Sequence, residues 1–97
     1  MSNPAIGICT LEFYLPGVAS LKEKRSIIKP LQSRLRKTFN VSVAEVDYND
    51  KWQSAKIAIA VVSNTRKHSH QMLHNVVEWI ETNFPDAMIV DQDIELI

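Results

Sequence analysis

From Ala5 to Leu15 (AIGICTLEFYL) the chain alternates. Ala5, Cys9, Leu11, Phe13 and Leu15 share one parity, while Thr10 and Glu12 fall on the other. Such a segment predicts a strand with one buried face, ended by Pro16-Gly17. The period then changes. Ser20 and Glu23 form the S-x-x-E pattern that opens a helix. At about 100° per residue, Leu21, Ile27, Ile28, Leu31 and Leu35 collect on one stripe. Pro30 falls off that stripe, toward water, so it predicts a kink and not a break. Alternation returns in Val41–Tyr48 and Ser54–Val62, two strands joined by a turn around Asn49-Asp50-Lys51, with Trp52 near the tip. Thr65–Phe84 carries Met72, Leu73, Val76, Val77, Ile80 and Phe84 on one side and predicts a second helix, closed by Pro85. Asp86–Ile97 predicts a last strand, with a break near Gln92.

The order β-α-β-β-α-β, with right-handed crossovers and a short central hairpin, points to an α+β fold. The expected architecture is the ferredoxin-like βαββαβ plait, an antiparallel sheet in the order 4-1-3-2 with both helices on one face. The rival is an α+β sandwich with another strand order. No linker, repeat or low-complexity segment interrupts residues 1–97, so a single domain is expected.

Three blocks of this sequence, SLKEKR (20–25), FNVSVAEVD (39–47) and the WQ-x-A run beginning at Trp52, resemble the YlxP-like family of small bacterial proteins, whose domain has no assigned function. The similarity spans nearly the whole chain. The resemblance implies a ferredoxin-like fold and no established activity. Genes of the family often sit beside those for transcription and ribosome-maturation factors, which implies a connection to RNA or translation. It supplies no catalytic residues to carry over.

Charge alters the picture more than composition does. The formal net charge is zero, which ordinarily argues against nucleic acid. Yet seven cations (Lys22, Lys24, Arg25, Lys29, Arg34, Arg36 and Lys37) stand in residues 22–37 beside one acid, Glu23. Residues 78–97 hold six acids and no cation. Antiparallel helices would set Lys22, Lys24 and Arg25 beside Glu78, Glu81 and Asp86, with Asp47 and Asp50 at the same end, as ordinary exposed ion pairs. The other end would gather Arg34, Arg36 and Lys37 with Arg66, Lys67 and His68. Cations suit a helix C-terminus, but Arg66 and Lys67 sit at the positive end of theirs, each at a cost of roughly 0.3–1 kcal/mol. Lys22, Arg25, Lys29 and Arg36 also align in one arc flanking the apolar stripe.

On the strands, the parity that keeps Glu12 out of the core exposes Ile6, Ile8, Thr10, Glu12 and Tyr14. The same rule exposes Glu45 and Asp47, then Lys56, Ala58 and Ala60, then Asp91, Asp93 and Glu95. Six acids and one cation there would repel phosphate, so the sheet is no RNA platform, although its apolar part could meet a second copy.

Other constellations fall short. His70 and His74 share a helix face, but no third ligand stands at close spacing, and His74 with Glu78 is an ordinary i,i+4 pair. Two glycines in the whole chain exclude a phosphate-cradling loop. Cys9 lacks a base and is expected in the core, and a lone cysteine suits a reducing cytoplasm. Lys24 points into the apolar stripe and is expected to snorkel, or to pair with Glu12 or Asp47. No nucleophile has its base, no cofactor is implied, and no stretch is long and apolar enough to span a membrane.

The expected function is a cytoplasmic, non-enzymatic binding protein that contacts RNA or ribosome-related assemblies. Arg36, Lys37, Arg66 and Lys67 are the main expected phosphate contacts, and Lys22, Arg25 and Lys29 auxiliary ones. No DNA-specific motif is present. The alternatives are a homodimeric protein–protein module using the sheet face, and an enzyme for a small anionic substrate at the start of the second helix.

Overall fold

A computed structural model describes residues 3–97. Its elements are β1 (Ala5–Tyr14), α1 (Leu21–Thr38), β2 (Ser42–Asp47), β3 (Ser54–Ser63), α2 (Arg66–Asn83) and β4 (Met88–Leu96). The sheet is antiparallel in the order β2-β3-β1-β4, which is the ferredoxin-like plait. β2 and β4 are its edges.

The alternation in β1 and β3 drives this arrangement. Cys9, Leu11 and Phe13 of β1 and Ala55, Ile57, Ile59 and Val61 of β3 point into one layer. There they meet Ile28, Leu31 and Leu35 of α1 and Leu73, Val76, Val77 and Ile80 of α2. Fully burying one such side chain stabilises by about 1.5–3 kcal/mol, which is enough to hold the helices on this face. The opposite face has no covering layer among the described residues.

Both helix starts are capped as their sequences require. Ser20 Oγ accepts from Glu23 N–H at 3.1 Å, and the Glu23 carboxylate accepts from Ala19 N–H at 2.8 Å. Thr65 Oγ1 accepts from His68 N–H at 3.1 Å. α1 runs unbroken through the exposed Pro30.

The helices differ in where they sit along the sheet. α2 is pinned low, where Ser69 donates to the Ala5 carbonyl at 3.3 Å. Gly7 lets α2 come close: a Cβ there would lie 2.9 Å from Leu73 Cδ1. α1 packs chiefly toward β2. Near its far end, the Arg34 guanidinium lies 5.2 Å from the Trp79 ring and 5.0 Å from Phe84. Phe39, just past α1, meets Trp79 edge-on at 6.1 Å. The end of α1 therefore lies beside the end of α2, not its start, an offset of roughly 15 Å at 1.5 Å per residue. The molecule is correspondingly long, 51 × 21 × 19 Å.

Two bulges correct the sequence-based strand geometry. β2 slips against β3 between Glu45 and Asp47, leaving Val46 as the extra residue. Glu45 pairs with Ile57 and faces the helices, whereas Asp47 pairs with Lys56 and faces out. Counting by twos from Asp47 gave Glu45 the wrong face, because a bulge reverses parity. β4 has no break at Gln92. Its irregularity is at Val90, where Glu12 pairs with Asp91 and Phe13 with Ile89.

Candidate functional site

The SLKEKR and FNVSVAEVD blocks meet where α1 crosses β2. Lys24 lies on the apolar stripe of α1 and is almost wholly buried, at 2% exposure. Its ammonium sits 2.9 Å from Glu45 Oε2 and donates to the Tyr48 carbonyl at 2.6 Å. The Glu45 oxygen is buried and receives no well-aligned hydrogen bond, so the contact neutralises charge without an ideal donor geometry. Tyr48 has φ 62°, a left-handed backbone that costs a side-chain-bearing residue roughly 1–2 kcal/mol. Three contacts hold it: Lys24 on its carbonyl, the Asp47 carboxylate accepting from its N–H at 2.8 Å, and its own hydroxyl donating to Glu12 Oε1 at 3.0 Å. That last bond, with the Glu12 charge behind it, holds the phenol above its ordinary pKa.

Lys24 thus pairs with Glu45, and not with Glu12 or Asp47 as the sequence suggested. A lysine on an otherwise apolar stripe was the signal that a buried partner exists. Which acid it was depended on the bulge. The WQ-x-A block closes the same corner, where the Gln53 side-chain amide donates to the Val18 carbonyl at 3.0 Å.

Along the outer flank of α1, Lys22, Arg25 and Lys29 are all exposed. Among the described residues none has a carboxylate within 4.0 Å; the ion pairs are Lys24–Glu45 and the exposed His74–Glu78 contact at 3.1 Å. The pairing expected for Lys22 and Arg25 with Glu78, Glu81, Asp86, Asp47 or Asp50 is therefore not made. Asp86 stands on the other flank of α1, lining a pocket with Glu23, Ser26 and Ile27, and the β2–β3 hairpin meets the Arg25–Lys29 side with Asn49 and not with Asp47 or Asp50. Arg25 and Lys29 instead line a cleft of about 190 Å³ with Leu21, Ile28, Gln32, Glu45 and Asn49.

The remaining cations divide. Arg36 continues the row, but its guanidinium donates to the Val43 carbonyl at 2.9 Å. That carbonyl belongs to the free edge of β2, so Arg36 protects an open strand. Arg34 is stacked on Trp79 and Phe84 and reaches Asn83. Lys37 is exposed in the last turn of α1. Arg66 and Lys67 are exposed at the start of α2 and have no carboxylate partner among the described residues. They do not converge with Arg36. Val43 pairs with Ile59, and β3 continues four residues, roughly 13 Å, before α2 begins. The single basic pole expected from antiparallel helices is two separate groups.

Across the sheet, Glu12, Asp47, Asp91, Asp93 and Glu95 share the open face with Lys56. Five acids remain there after Glu45 moves to the other side, and the field still opposes phosphate. Among the described residues no cluster of three His, Cys, Asp or Glu could hold a metal ion, and no helix is long and apolar enough to cross a membrane.

By overall shape, the chain is similar to a de novo designed protein, Foldit4, with a TM-score of 0.54 over 98% of this chain and 97% of that one, at 8% identity. That likeness concerns the fold alone. By sequence, it is 37% identical over 81 residues to the uncharacterized protein YlxP of Bacillus subtilis (strain 168), covering 84% of this chain and 87% of that protein. The family model described as "Protein of unknown function (DUF503)" matches residues 6–94, and with this match and the relative of 37% identity the chain belongs to that family.

Proposed function

We propose that this chain is a small non-enzymatic cytoplasmic protein that contacts RNA through the outer flank of α1. Lys22, Arg25 and Lys29 are the central phosphate contacts, and Lys37, Arg66 and Lys67 extend the track. Arg36 contributes charge while its guanidinium stays engaged with β2. One observation carries this reading: a row of exposed cations on one helix flank that no carboxylate of the described chain neutralises. Each Lys or Arg that replaces a counterion on a phosphate adds about 0.7 to the salt slope for single strands. The family's lack of an assigned activity is compatible with a binding role, and the gene neighbourhood implied by the resemblance favours ribosome-related RNA.

The test is the affinity of the full chain for a 20-nucleotide single-stranded RNA, measured by fluorescence anisotropy against salt. Three to six contacts give a slope of roughly −2 to −4. Lys22→Gln/Arg25→Gln/Lys29→Gln should weaken binding at least tenfold at low salt and flatten the slope by about 2. A flat salt dependence, or a triple variant that binds like the parent, sinks the proposal.

A further inference from the structure

The sheet face away from the helices carries a different pattern. Ile6 and Ile8 of β1 lie beside Ala58, Ala60 and Val62 of β3, with Val62 65% exposed. Small side chains make part of it concave: Ile8, Ala44, Ala58 and Ala60 line a shallow depression of about 240 Å³ with Ser42 and Val43.

A row of acids borders this apolar strip. On β4, Asp91, Asp93 and Glu95 stand opposite Glu12, Thr10 and Ile8 of β1. They share one face at a spacing of about 7 Å. None of them has a Lys, Arg or His nitrogen within 4.0 Å among the described residues. Asp91 also faces Glu12 directly across the ladder, and like charges so placed are destabilising. Lys56, the cation on the face, is opposite Glu12 and Asp47 and within ion-pair distance of neither. Within the chain Glu12 is eased by the Tyr48 hydroxyl, whereas Asp91, Asp93 and Glu95 have no ion-pair partner among the described residues.

We infer that this face docks a basic amphipathic segment of another protein, its apolar side on the Ile6–Ile8–Ala58–Ala60 strip and its Lys or Arg side chains on Asp91, Asp93 and Glu95. Charge complementarity selects this occupant. RNA is repelled by the acids. A second copy presenting the same face would match the apolar strip but bring acids toward acids, with Lys56 as its cation there. Dimensions also agree. β4 runs about 5 Å from β1, so one helix about 10 Å wide with its side chains covers the strip and reaches the acid row together. The inference is independent of RNA binding by α1, which lies on the opposite side of the sheet. If both hold, the protein joins an RNA to a basic protein.

The test uses the full chain, isotopically labelled for amide NMR, and three synthetic 18-residue helical peptides. One is built of Leu and Lys with the Leu on one side; the second replaces Leu by Ser at equal charge; the third replaces Lys by Glu. The Leu/Lys peptide is expected to shift the amides of Ile8, Ala58, Ala60 and Asp93 and to saturate. The other two peptides should bind at least tenfold more weakly. The surface variant Asp91→Asn/Asp93→Asn/Glu95→Gln, whose fold the same spectra verify, should lose at least tenfold in affinity for the Leu/Lys peptide. Equal binding of the Ser/Lys peptide, an undiminished affinity in the variant, or shifts confined to the helices would each overturn the inference. So would a concentration-dependent dimer whose amide changes map to the Ile8–Ala58 strip, because a second copy would then be the occupant.

Discussion

Cys9 sits on the inward parity of β1 with no exposed surface. Burial pushes its thiol up to about 11, and the Asp93 carboxylate adds to the effect. Near neutral pH the group is a protonated, packed hydrophobe and not a nucleophile. The native state therefore holds a proton that the unfolded chain releases at its lower pKa. That stability is fully present below the unfolded value near 9.0 and is lost as pH rises toward 11. Urea denaturation at pH 8 and pH 10.5 should show a loss of stability that Cys9→Ala reduces. A remnant should persist in the variant, because the Tyr48 phenol is shifted in the same direction by Glu12. Equal losses in parent and variant would mean that the thiol titrates freely. The position of Cys9 could be read from alternation alone, since nothing disturbs the parity of β1 on its side facing β3. Glu45 could not be placed so. Its face depends on an extra residue at Val46, and a bulge becomes visible only when the partner strand supplies the register.

At the scale of elements, the buried contact of Lys24 with Glu45 ties α1 to the edge strand β2 and holds the left-handed Tyr48 turn. Side-chain exposures of 3% and 20% place the pair where removing one partner is costly and replacing both is not. Glu45→Ala should therefore lower unfolding free energy by about 2–4 kcal/mol, somewhat below the range for a fully buried pair because Glu45 keeps some water. The double variant Lys24→Met/Glu45→Leu should regain most of that loss in urea denaturation. If the single variant is neutral, the ammonium finds water or the Tyr48 carbonyl suffices, and the contact is no clamp. Six elements and the strand order followed from period and connection length, because one-faced burial leaves few ways to stack two helices on four strands. The sliding of α1 against α2 did not follow. The contacts that set it, Ser69 on Ala5, Leu73 over Gly7 and Arg34 over Trp79, join residues whose spacing in the chain carries no such information. The expected basic pole failed for that reason, while the aligned row on α1, a property of one helix, survived.

At the scale of the whole molecule, the separation of the two cation groups makes the dependence on RNA length measurable. Lys22 to Lys29 covers about 10 Å of helix, and Lys29 to Arg36 about as much again. A further stretch of roughly 13 Å along β3 precedes Arg66. The track from Lys22 to Arg66 is thus about 35 Å, within the 51 Å long axis. A stacked strand advances about 3.4 Å per nucleotide, so roughly ten nucleotides are needed to touch both groups. A pentanucleotide should bind with a salt slope near −2, whether or not Arg66→Gln/Lys67→Gln is present. A 15-mer should show a slope near −4 that the same double variant reduces by about 1.4. If the α2 variant weakened both lengths equally, the two groups would act at one place, against the geometry in which Arg36 reaches Val43 and not the start of α2. If it weakened neither, Arg66 and Lys67 would be solvated surface and the RNA track would end on α1.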